Sequence, residues 1–98
     1  MCNIYEESGV SGSFTPNGLY SAVKISAPAS VTVEALDNPQ DGLFVLAIQN
    51  TDSGTISVDF DNSYVFSSNH STGLGGNQTA VYVFAVFFGV PYLVAIPL

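Results

Sequence analysis

The chain has 98 residues, 47% of them apolar and only 9% charged, and eight acids against one lysine leave a net charge of −7. Without clustered Lys and Arg there is no footprint for nucleic-acid phosphates or anionic membrane surfaces, so neither is an expected partner. A domain of this length buries about two-thirds of the surface its unfolded chain would expose. Ordinary soluble domains carry roughly 25% charged residues, so the shortage here points to surface hidden in an assembly.

Residues 1–18 are rich in Ser, Gly, Asn and Pro, and only Ile4, Tyr5, Val10 and Phe14 offer apolar anchors. The segment reads as an extended N-terminal arm ahead of a β domain over 19–98. The four anchors are expected to dock the arm on a neighbouring molecule, because terminal segments are seldom ordered unless tied down. The opening MCNIYEESGV lacks the basic and apolar regions of a signal peptide. Cys2, the single cysteine, allows no internal disulfide and fits synthesis in a reducing compartment.

From Leu19 to Ser26, apolar Leu19, Val23 and Ile25 share one face with Tyr20, Ala22 and Lys24 on the other. The next run sends Val31, Val33 and Ala35 one way and Thr32 and Glu34 the other; both patterns predict half-buried strands. Residues 37–42, DNPQDG, are a turn by their chemistry. Leu43–Gln49 is apolar on both faces, which marks a central strand or one whose outer face meets a partner. After the turn at 50–54, Ile56, Val58 and Phe60 alternate with Thr55, Ser57 and Asp59. A short strand at Ser63–Phe66 and a polar, Gly-rich loop at Ser67–Gln78 follow.

The last twenty residues, TAVYVFAVFFGVPYLVAIPL, are uncharged and long enough for a membrane span. Gly89 and Pro91 interrupt them, no Lys or Arg flanks them, and β-branched and aromatic residues fill both halves as sheets prefer. They read instead as two strands, Ala80–Phe88 and Tyr92–Ile96. The expected fold is therefore all-β: a single antiparallel β-sandwich or jelly roll of about seven strands, with no fixed-period repeat and no helical pattern.

No catalytic motif appears. Asp37, Asp41, Asp52, Asp59 and Asp61 are oxygen ligands of the type calcium takes, but no calcium-loop spacing joins them, and solvated turns explain them. A Ser-His-Asp hydrolase would need the lone His70, which sits in a loop without a nucleophile elbow. A glycosidase needs two carboxylates facing across a cleft, and no Trp is present as a sugar platform. The Gly75-Gly76 segment lacks the lysine of a phosphate cradle, and the sequons at Asn69 and Asn77 match an Asn/Ser/Thr-rich loop. No enzyme, cofactor or metal is expected.

The run Ala80–Phe88 carries two apolar sets, Val81, Val83, Ala85 and Phe87 against Tyr82, Phe84, Val86 and Phe88. A two-sheet sandwich covers only one face of each sheet, so one set needs another layer. Val81, Val83, Ala85 and Phe87 are the expected homo-oligomer interface.

The stretch Leu43–Phe66, LFVLAIQNTDSGTISVDFDNSYVF, resembles the strand–Asn–polar turn–alternating strand unit of small β-sandwich virion proteins of tailed bacteriophages, of head-decoration or fibre type. The Gly/Ser/Asn loop and the closing apolar pair at 79–98 are similar to the same group. The resemblance implies a non-enzymatic structural protein made in the host cytoplasm. It also implies a homo-oligomer, expected to be a trimer, bound to a major capsid or other virion protein. It carries no functional residue over. Two alternatives stay open: a glycan- or receptor-binding module using Ser67–Asn77 and the edge aromatics, and a small membrane-associated protein anchored by 79–98.

Overall fold

A computed structural model of the chain describes residues 3–66 and 73–95. Cys2, Asn69, His70 and Ile96 lie outside them, and with them half of the loop at 67–78. The described residues form nine strands and no helix: β1 (Ile4–Glu7), β2 (Gly12–Phe14), β3 (Ala22–Ala27), β4 (Val31–Val33), β5 (Gly42–Asn50), β6 (Ile56–Phe60), β7 (Gly73–Leu74), β8 (Thr79–Phe87) and β9 (Val90–Ala95). The all-β expectation holds.

Two sheets share one core. The larger has the order β1-β3-β5-β8-β9 and the smaller β2-β4-β6-β7. The expected single antiparallel sandwich is corrected here, because β1, β3 and β5 run parallel, as do β2, β4 and β6. From β1 to β6 the chain steps from one sheet to the other at each connection, so that a strand of the opposite sheet is the return path that parallel neighbours require. Three such coils stack side by side in the manner of a short solenoid. Their steps are unequal, 4 to 22 and 22 to 45 in one sheet, 12 to 31 and 31 to 58 in the other, which is why no fixed period is visible. Only the closing elements are antiparallel: β8 on β5, β9 on β8, and β7 on β6.

The segment expected to be an arm is the first of these coils. Val10 is buried, its N–H donates to the Ser26 carbonyl at 3.0 Å, and Tyr5 and Phe14 pack against the core. Three of the four anchors thus serve this chain's own domain, and Ile4 alone faces out. Backbone pairing to β3 and β4 orders the segment where its sparse apolar content could not. Ser63–Phe66, expected as a strand, makes a single bridge from Val65 to Tyr92.

The core fills from both sheets by period-2 alternation. Val23, Ile25, Phe44, Leu46, Ile48, Tyr82, Phe84 and Val86 point inward from the large sheet, and Val31, Val33, Ile56 and Val58 from the small one. The Phe60 ring meets Tyr64, Phe66 and Tyr82 edge-on at centroid distances of 4.9–5.3 Å. Such pairs add about 0.5–1.5 kcal/mol beyond their buried area.

Among the described residues one polar side chain is fully buried. Asn50, at the end of β5, donates from Nδ2 to the carbonyls of Gly54 (2.7 Å), Leu74 (3.0 Å) and Gly75 (3.0 Å), and its Oδ1 accepts from the Asp52 N–H at 2.8 Å. The neighbouring backbone is close enough that a Cβ on Gly76 would lie 2.2 Å from the Ser53 carbonyl oxygen. Asn50→Ala removes a donor from three carbonyls and should cost about 3 kcal/mol in denaturant unfolding. Ser57→Ala, an exposed position, should stay within about 0.5 kcal/mol of the native chain.

Tyr64 donates its hydroxyl to the Glu34 carbonyl at 2.8 Å. Burial, then the charges of Asp61 and Glu34, push its phenol far above the usual range. The folded state therefore holds this proton more tightly than the unfolded one. Its contribution is complete below the unfolded phenol's pKa of about 10 and fades above it. Stability measured from pH 8 upward should fall beyond pH about 10, more steeply in the native chain than in Tyr64→Phe. Burial raises Tyr82 as well, so that variant should keep a residual slope.

Candidate functional site

Alternation that fills the core leaves a second set of side chains on the outer face of the large sheet. The strand register places them in rows. Ile4, Ala22, Val45 and Val83 form one row, Leu43, Ala85 and Tyr92 another, Ala47 and Val81 a third, and Phe87 with Val90 close the hairpin end. Leu43 is 68% exposed, Ile4 61%, Phe87 59% and Val94 56%. Isolated exposed apolar residues are ordinary, but rows of them across five strands mark a contact surface.

The four expected interface residues all lie on this face: Val81, Val83 and Ala85 half-buried by their strand neighbours, Phe87 exposed. Tyr82, Phe84 and Val86 are the core set. Phe88, expected among them, is 94% exposed because the hairpin turns earlier than its Gly-x-Pro sequence suggested. The turn is Phe88-Gly89, and Val90 and Pro91 already belong to β9. Phe88 has φ 50° and Gly89 φ 80°, the two left-handed residues of a type I′ hairpin. Gly89 adopts that conformation freely, while Phe88 does so against its Cβ. The Asp41 carboxylate accepts from the Phe88 N–H at 3.0 Å and holds the turn from the side.

Sequence reasoning missed Ile4, which it gave to the arm, and the outward direction of Val90 and Tyr92, which the two-residue turn sets by pairing them with Phe87 and Ala85, and that of Val94 beside the bulge at Val83/Phe84. The signal for β5 was present: its apolar residues on both faces indicated a central strand or one whose outer face meets a partner, and β5 is the middle strand of the large sheet.

Charge is distributed against this surface. Of the acids, Glu6 lies within it, beside Lys24 in the strand register, and Asp41 borders it at the Phe88 turn. Asp59 points outward from β6 on the other sheet, next to Thr32 of β4, and Asp52 and Asp61 occupy turns. There they bond backbone: Asp52 Oδ2 accepts from Gly54 N–H at 3.1 Å, and Asp61 Oδ2 from Ser63 N–H at 3.0 Å. The contacts with Ser63 hold the Asp61 carboxyl below its usual range. Among the described residues no group of three or more His, Cys, Asp or Glu is gathered to hold a metal. Nor is any helix there long and apolar enough to cross a membrane.

No protein family, no curated protein and no solved structure matches the chain. Strain at Phe88 makes a measurable statement, since backbone held in a sparsely populated region is often retained for function. Phe88→Gly removes an almost fully exposed ring and relieves the left-handed strain. It should raise the stability of the isolated chain by about 1 kcal/mol in thermal unfolding.

Proposed function

We propose that this chain is a non-enzymatic structural protein that assembles with further copies of itself through the outer face of the large sheet. The observation that carries this reading is the continuous apolar face running from Ile4 through Val45 and Val83 to Phe87. The occupant we favour is a second copy, on grounds of charge. A molecule at −7 repels its like over most of its surface. Here the approach meets Glu6, with the chain's single cation beside it, and Asp41 only at the hairpin end, where its carboxylate accepts from the Phe88 N–H. A second copy brought against this face could set its Lys24 near the partner's carboxylate, as closed symmetric contacts allow.

The setting we propose is a virion, in which the protein decorates a capsid or forms part of a fibre, with three copies around an axis. The resemblance of Leu43–Phe66 to small phage virion proteins supports the setting and the trimer. The low charge content supports a surface largely covered in use.

Light scattering at micromolar concentration tests the association. The native chain should run as an oligomer. Val83→Asp and Phe87→Asp should give folded monomers, because an unpaired charge in a covered interface costs several kcal/mol per subunit. Val86→Asp, in the core, should instead unfold the chain. A native chain that runs as a monomer would overturn the self-association.

A further inference from the structure

The space between the two sheets ends at the first coil. Tyr5 and Glu7 share the inward face of β1, because their register partners Val23 and Ile25 are core residues. Phe14 stands opposite them on β2, beside Val33. The connections after β2 and β4 bring in Asn17, Tyr20 and Asp37. These side chains enclose a cleft of about 300 Å³.

Its walls are set by backbone. Asn17 and Asp37 face each other in a parallel bridge, with Gly18 N–H donating to the Asp37 carbonyl at 2.7 Å and Asp37 N–H to the Pro16 carbonyl at 2.9 Å. The rings of Tyr5 and Tyr20 lie 5.2 Å apart with planes tilted 40°. Tyr5 donates its hydroxyl to Glu7 Oε1 at 2.5 Å, which holds that carboxylate at the rim of the ring. This bond, then desolvation and the Glu7 charge, raise the Tyr5 phenol above its usual value.

Aromatic side chains closing the end of a core account for Tyr5, Phe14 and Tyr20. They do not account for two carboxylates set around the rings, since capping an apolar space calls for no charge. Lys24 cannot answer them within the molecule, because it alternates with Val23 and Ile25 and points to the opposite side of the sheet. Aromatic rings and carboxylates lining one cleft are an arrangement that attracts organic cations.

We infer that this cleft binds an ammonium or guanidinium group, seated against the tyrosine rings with Glu7 and Asp37 as its counter-charges. The group comes either from a free quaternary amine or from a Lys or Arg side chain of a partner protein. The site is separate from the apolar face of the large sheet and does not depend on self-association.

The test is an NMR titration of the full chain, following the ring signals of Tyr5 and Tyr20 and the amides of Asn17 and Asp37. The probes are choline, its uncharged isostere with carbon in place of nitrogen, arginine amide and glucose. A cation should shift these signals saturably, and the uncharged isostere should bind about tenfold more weakly or worse. Tighter binding of choline assigns a free amine, and tighter binding of arginine amide a partner side chain. Glu7→Gln, an exposed change, should weaken the cation several-fold while leaving thermal unfolding unaltered. Equal binding of the isostere, saturation by glucose, or no saturable shift with either cation would overturn the inference. So would a Glu7→Gln protein that binds the cation as before but forms larger assemblies than the native chain by light scattering, for then Glu7 serves to guard the strand edge.

Discussion

The register of β8 on β5 is the constraint on which the rest of the molecule depends, and hydrophobicity cannot set it. A one-residue slip moves every side chain of a strand to the other face. In most sheets that would expose the core set and bury polar residues. Here both sets of β8 are apolar, so the slipped state would still bury Val81, Val83 and Ala85. The register is set instead at the two ends of the strand pair. At one end Asn50 is buried and satisfied only if Gly54, Leu74 and Gly75 lie where its amide reaches them, and its own N–H donates to the Gln78 carbonyl at 2.8 Å. At the other end the two-residue turn Phe88-Gly89 fixes β9 on β8, and Asp41, just ahead of β5, accepts from that turn. A buried polar group whose partners are specific is one of the few devices that can choose between two equally apolar registers.

That choice fixes the two functions of the large sheet. Tyr82 and Phe84 reach the Phe60 cluster and so couple the large sheet to the small one, at centroid distances of 4.9 and 6.1 Å. Val83, Ala85 and Phe87 are turned outward and continue the rows begun by Ile4, Val45 and Leu43. The interior and the candidate interface are therefore two readings of the same alternation, and the Asn50 clamp decides which is which.

Much of this was legible in the chain. The period-2 runs at Ala22–Ala27, Gly42–Asn50 and Ile56–Phe60 follow directly from alternating β-branched residues. The direction in which strands pair was not legible. Pro28-Ala29-Ser30 and Thr51–Thr55 have turn chemistry, but a turn residue says only that the chain bends. It does not say whether the chain folds back beside the same strand or crosses to the opposite sheet. The first coil was hidden for a different reason. Its stability comes from main-chain pairing with β3 and β4, which leaves no hydrophobic pattern, and from a few inward contacts by Tyr5, Val10 and Phe14. The cleft beside it could not be seen either, since it joins Tyr5 and Glu7 to Asp37 through the unequal coil lengths. Asn50 was visible only as a turn residue, because burial of an amide depends on partners that lie more than twenty residues away.

The placement of charge gives the molecule two unlike sides. Alternation puts Thr32, Ser57 and Asp59 on the outside of the small sheet, while the outside of the large sheet carries Val, Ala, Leu and Phe. A single layer of side chains on a five-stranded sheet cannot shield its own outer face, and a chain with 9% charged residues has few polar groups to spread over it. Apart from the Glu6–Lys24 pair and Asp41 at the Phe88 turn, its charges lie on the small sheet, its turns and the cleft at the first coil. That segregation orients any assembly. Copies that meet through the large sheets bury the apolar rows and keep their acids apart, whereas contact through the small sheets would oppose carboxylates and bury little. Phe88 extends the apolar surface beyond the sheet at the tip of a strained turn, where a partner could enclose the ring without moving any strand. The acidic small sheets would then form the exterior of the assembly, together with the aromatic cleft that opens beside β1.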